Sequence, residues 1–95
     1  METYNYKHID SNNENTTVKV AALAGATLGK ITIQKTSAHA LTVYDAASDS
    51  DTSTPIAIIK ASIVEQTLEY NVVAKKGIFI AVPASYAGDA TISYR

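Results

Sequence analysis

The sequence contains no cysteine and no tryptophan, and it spends only two prolines, four glycines and one phenylalanine over 95 residues. The missing cysteines exclude disulfides and thiolate metal sites. A domain of this size buries only about 60–65% of the surface its unfolded chain exposes. Small domains gain extra stability from disulfides, metals or neighbours, and here neighbours are the expected source. An excess of charge of one sign is also missing: eight Lys and Arg accompany nine Asp and Glu, for a net charge of −1. The basic residues form no cluster, which disfavours nucleic acid, because phosphate affinity needs a concentrated basic footprint. No apolar run approaches the ~20 residues of a membrane-spanning helix. The opening Met-Glu-Thr-Tyr-Asn-Tyr-Lys-His lacks the apolar core of a signal peptide. The expectation is a protein made in a cytoplasm, with neither membrane nor nucleic acid as a partner.

What the chain does have is a series of short β-type segments. Apolar and polar residues alternate, or run apolar, over 28–34, 41–45, 55–60, 67–73, 77–82 and 90–95. Strands at intervals of about 8–12 residues indicate a sandwich or barrel. Thr-Thr-Val-Lys-Val-Ala-Ala-Leu (16–23) adds a further strand, ending in a turn near Ala24 and Gly25. Gly25 and the flanking β-branched residues argue against reading the Ala-rich stretch as a helix. The expected fold is a single antiparallel β-sandwich of about seven or eight strands, jelly-roll or immunoglobulin-like. Residues 17–95 form that domain. Residues 1–16 form an N-terminal segment that is either an edge strand of the same sheet or an extended arm packing on a neighbour.

The alternation also assigns faces. Ile31 and Ile33 share one with Gly29; Leu41, Val43 and Asp45 share another; Leu68, Tyr70 and Val72 a third; Ile92 and Tyr94 a fourth. Ile31 and Ile80 are expected core residues. Both faces of 56–61 are apolar, so that strand is expected to be central or covered on its outer side. Lys-Lys-Gly (75–77) reads as a hairpin-type turn, with Gly77 supplying a positive φ.

Little in the chain suggests catalysis or cofactor binding. His8 and His39 have no ligand-like partners at short spacing, whereas a zinc site needs three or four. Asp45, Asp49 and Asp51 gather at one loop, but without the central glycine and terminal glutamate of an EF-hand. The simpler reading is a solvated, turn-forming loop, exposed enough to serve as a contact tip. There is no Gly-x-Ser-x-Gly elbow and no glycine-rich phosphate loop. Glu65 and Glu69, four residues apart, read as ordinary surface acids rather than a glycosidase pair. The Asn15-Thr16-Thr17 sequon has no meaning without a secretory signal. No catalytic residue, cofactor or metal is expected. The tyrosines are more suggestive, since an apolar ring with a polar tip is favoured at protein interfaces. Tyr4, Tyr6 and Ile9 in the N-terminal segment and Tyr86 in a loop are the candidate partner contacts.

Seven strand motifs come in order: Tyr-Lys-His-Ile (6–9), Thr-Thr-Val-x-Val (16–20), Gly-Lys-Ile-Thr-Ile (29–33), Leu-Thr-Val-Tyr-Asp-Ala-Ala (41–47), Leu-Glu-Tyr-Asn-Val (68–72), Lys-Gly-Ile (76–78) and Ala-Thr-Ile-Ser-Tyr-Arg (90–95). Their order and spacing resemble small β-sandwich virion structural proteins of tailed bacteriophages, over nearly the whole chain. Ser53-Thr54-Pro55 departs from the Gly-Thr that precedes the next strand in such proteins. The resemblance implies a non-enzymatic head decoration (cement) protein. Such a protein binds the major capsid protein and itself, as a trimer or dimer on the capsid surface of a virion assembled in the host cytoplasm. A tail, neck or fibre component is the alternative within that class. A carbohydrate-binding module, stacking sugars on exposed tyrosines, is the alternative from another class.

Overall fold

The computed structural model describes residues 4–95. Its eight strands are β1 (Asn5–Ile9), β2 (Thr16–Ala21), β3 (Thr27–Lys35), β4 (Leu41–Asp45), β5 (Pro55–Ile59), β6 (Thr67–Val73), β7 (Ile78–Val82) and β8 (Asp89–Tyr94), with one 3-10 turn at Ser11–Asn13. They form two four-stranded sheets, in the orders β1-β8-β3-β6 and β2-β7-β4-β5, and every pairing is antiparallel. This is a β-sandwich with jelly-roll order. An immunoglobulin-type order would place the first two strands side by side; here β1 and β2 lie in opposite sheets. Only β4 and β5 are consecutive strands paired in one sheet.

The core lies between the sheets and follows the period-2 alternation. Leu28, Ile31 and Ile92 from one sheet meet Leu41, Val43, Ile78 and Ile80 from the other, all essentially without solvent contact. Burial of each such side chain contributes about 1.5–3 kcal/mol. Leu68, Tyr70 and Tyr94 pack on the margin of this cluster.

Of the two alternatives for the N-terminal segment, the edge strand holds and the arm does not: β1 ends the β1-β8-β3-β6 sheet and pairs with β8 along its whole length, Asn5 opposite Tyr94 and Ile9 opposite Ala90. Ile9 is fully buried in the shared core. Residues 1–3 of that segment lie outside the described residues. Several other expectations need correction. Gly29 does not share a regular face with Ile31 and Ile33, because β3 bulges there: Leu28 pairs with Tyr94 and Ile31 with Ile92, leaving Gly29 and Lys30 opposite Ser93 alone. The Ser93 hydroxyl mends the bulge, accepting from the Lys30 N–H at 2.8 Å and donating to the Lys30 carbonyl at 3.3 Å. A Cβ on Gly29 would lie 2.8 Å from both Ser93 Oγ and Tyr4 Cε2, so the glycine is required by close approach.

The turn at residues 75–77 is not a hairpin. It carries the chain from β6 in one sheet to β7 in the other. Gly77 sits at φ +149, and a Cβ there would lie 2.7 Å from the Ala46 carbonyl oxygen and 2.8 Å from that of Ala21. β5 is not central but an edge strand, bonded among the described residues to β4 alone.

Candidate interaction surface

The two outer faces of the sandwich differ in chemistry. On the β1-β8-β3-β6 sheet, register sets His8, Thr91, Thr32 and Thr67 in one row across four strands. These groups bond to one another and to their neighbours. Thr32 and Thr67 hydroxyls lie 3.2 Å apart, Thr91 donates to Gln34 Oε1 at 2.9 Å, and His8 Nε2 pairs with the Asp89 carboxylate. His8 Nδ1 is also 3.6 Å from the Asp10 carboxylate. This row is polar, and its groups are largely occupied with one another and their neighbours.

The outer face of the β2-β7-β4-β5 sheet is built from two other rows. Thr17, Ala81, Thr42 and Ile58 form the first; Lys19, Phe79, Tyr44 and Pro55 form the second. Lys19 is the one charged side chain in these eight positions. Ile58 ends its row at the β5 edge and is 63% exposed. A shallow hollow of about 290 Å³ adjoins the first row, lined by Thr17, Thr42 and Ala81 with Ala40 and Pro83. The apolar outer side of 56–61 is visible in the sequence, and it is this edge, not a covered strand, that the structure leaves open.

The expected contact residues divide into two pairs. Tyr4 and Tyr6 are exposed, at 42% and 73%; Tyr4 lies under the Arg95 guanidinium, 5.0 Å from ring centroid to Cζ. Ile9 and Tyr86 are core residues, at 0% and 4%, and present no surface to a partner. Tyr86 folds back from its loop into the interior, where burial, aided by Asp89, raises its hydroxyl pKa. His39 is a solvent-exposed loop residue whose N–H donates to Ser37 Oγ at 3.2 Å. Glu65 precedes β6 and Glu69 lies within it, so the two acids do not share a strand.

Two of the three loop aspartates, Asp45 and Asp51, are turned to protein donors, and Asp49 is exposed. Asp45 is buried beneath the β6–β7 crossover and accepts the backbone N–H groups of Lys75 at 3.0 Å and Lys76 at 2.8 Å. Burial penalises its charge, but the N–H groups of Lys76, Lys75 and Gly77 outweigh that and hold its carboxyl below the ordinary range. Asp51 accepts the Ser53 hydroxyl and N–H and the Lys76 ammonium, which lower its pKa. Asp45 was legible as an inward residue; its partners, some thirty positions away, were not. Among the described residues no cluster of three or more His, Asp or Glu is arranged to hold a metal ion.

No family model and no curated protein matches the chain. The resemblance to phage proteins therefore rests on the strand motifs alone. Among solved structures, the chain is similar to the NLP-core of Drosophila, at 13% identity and a TM-score of 0.59, over 99% of this chain and 97% of that one. That structure is described as giving insight into pentamer formation and histone binding. The likeness corrects the expected head decoration role, together with its tail, neck, fibre and carbohydrate-binding alternatives: a structure that matches over the full length is a histone-binding pentamer core, and nothing found ties the chain to a capsid. A major capsid protein as partner is likewise without support. What the likeness shows for this chain is the sandwich fold.

Proposed function

We propose that this protein is a non-catalytic, self-associating module whose assembled form binds another protein. The observation that carries the reading is the outer face of the β2-β7-β4-β5 sheet, where Lys19 is the one charge among eight positions and the first row ends in exposed Ile58 at an open edge. An apolar side chain left exposed on an unpaired strand edge is a template for pairing with another chain. Repetition of the domain in a closed assembly gives avidity without a strong single site. The likeness to a pentamer-forming, histone-binding core supports both halves. It also makes a histone the first partner to test.

Sedimentation velocity across a concentration series tests self-association. The wild-type protein is expected to exceed its 10.1 kDa chain mass. Ile58→Lys is expected to return it to that mass with unchanged circular dichroism. A wild-type protein that stays monomeric at every concentration overturns the reading. Titration with core histones over a salt series tests the partner, since attraction between exposed charges weakens as salt screens them.

A further inference from the structure

A β-sandwich has four strand edges to protect, and three of them here carry a charged side chain within the strand, one of the devices that blunt an edge. β1 presents Lys7 and His8. β2 carries Lys19 and a register shift between Lys19 and Ala21. β6 carries Glu69 and a bulge, where Tyr70 and Asn71 oppose Gly29 and Asn71 takes φ +51. β5 differs. After Pro55 it reads Ile-Ala-Ile-Ile, with no charge before Lys60. Residues 57–59 pair regularly with β4, and the one irregularity lies towards Pro55. Among the described residues no turn or loop backbone hydrogen bond reaches 55–59.

Resting on the self-association proposed above, we infer that β5 is where two copies join, edge to edge and antiparallel, with Ile58 of each at the two-fold axis. The two four-stranded sheets then become one of eight strands. The register follows from two constraints. Residues directly opposite in an antiparallel pair point to the same face, so Ile58 must meet an outward residue and Ala57 an inward one. Pro55 lacks an N–H and is excluded from a paired interior. Pairing Ile58 with Ile58 satisfies both: it sets Ala57 against Ile59 and Ile56 against Lys60, and leaves Pro55 outside. It places no two like charges opposite one another, because each Lys60 faces an isoleucine. The second copy is therefore a partner complementary to this edge in backbone, shape and charge. The outer row Thr17-Ala81-Thr42-Ile58 continues across the axis into its own mirror order.

Cysteine cross-linking tests the arrangement, and the natural absence of cysteine leaves the background clean. Cα atoms directly opposite in an antiparallel pair lie about 4.5–5.5 Å apart, within disulfide reach. Ile58→Cys trims an exposed side chain; Thr17→Cys, on the far edge of the same sheet, is the control. Under mild oxidation Ile58→Cys is expected to yield a covalent dimer several-fold in excess of Thr17→Cys. In the wild-type protein, amide exchange over residues 56–59 is expected to slow as concentration rises. An associated protein in which Ile58→Cys fails to cross-link, or a five-fold assembly whose β5 amides exchange freely, overturns β5 pairing and leaves self-association standing. A monomer at every concentration overturns both.

Discussion

Asp45 shows how a single side chain can join distant parts of this sandwich. Its carboxylate ends β4 and takes two backbone donors from the crossover between β6 and β7. Because its folded pKa is depressed, its contribution to stability is complete above the unfolded value of about 3.9. It is lost as pH falls through the lower folded value. Asp45→Asn is expected to cost about 1–3 kcal/mol at neutral pH, since one buried donor loses its acceptor. The variant is also expected to lack this part of the acid destabilisation, as measured by urea unfolding at a series of pH values. The same crossover depends on Gly77. Gly77→Ala forces a Cβ against the carbonyls of Ala21 and Ala46 at a φ that side chains rarely adopt, and the expected cost is about 1–3 kcal/mol. A thermal melt equal to that of wild type would refute that assignment.

At the level of elements, β1 is held by one face. Ile9→Ala removes a fully buried side chain and is expected to lower unfolding free energy by about 2–5 kcal/mol. Tyr6→Ala, on the exposed face of the same strand, is expected to stay within about 0.5 kcal/mol of wild type. Equal effects from the two in chemical denaturation would contradict the placement of β1. The strands themselves were legible because alternation records which faces are covered. Leu41, Val43, Leu68 and Ile92 all point as their spacing requires. Alternation says nothing about lateral neighbours. The two apolar faces of 56–61 therefore read equally well as a central strand, although β5 is an edge. Turn chemistry is equally silent on destination: Lys75-Lys76-Gly77 serves a passage between sheets as readily as a hairpin. Tyr86 was misplaced because no periodicity runs through its loop, and only the tertiary fold turns the ring inward.

For the whole molecule, the distinction between jelly roll and immunoglobulin-like order lay beyond the local pattern, because it is decided by pairings between remote segments. The outer row proposed above for interaction is likewise a product of the tertiary fold: Thr17, Ala81, Thr42 and Ile58 come from four strands and become neighbours only through register. One of these remote pairings has a kinetic corollary. The first strand described finds its partner in the last, with the His8–Asp89 pair spanning 81 positions, and β8 also separates β1 from β3. Loop-closure entropy must be met before such a contact gives anything back, which places folding in the slow, milliseconds-to-seconds class of β proteins. During synthesis the emerging polypeptide carries Ile9 and β3 without their shared partner until β8 has left the ribosome, so the nascent chain passes through an interval with its future core exposed, when chaperone protection matters most.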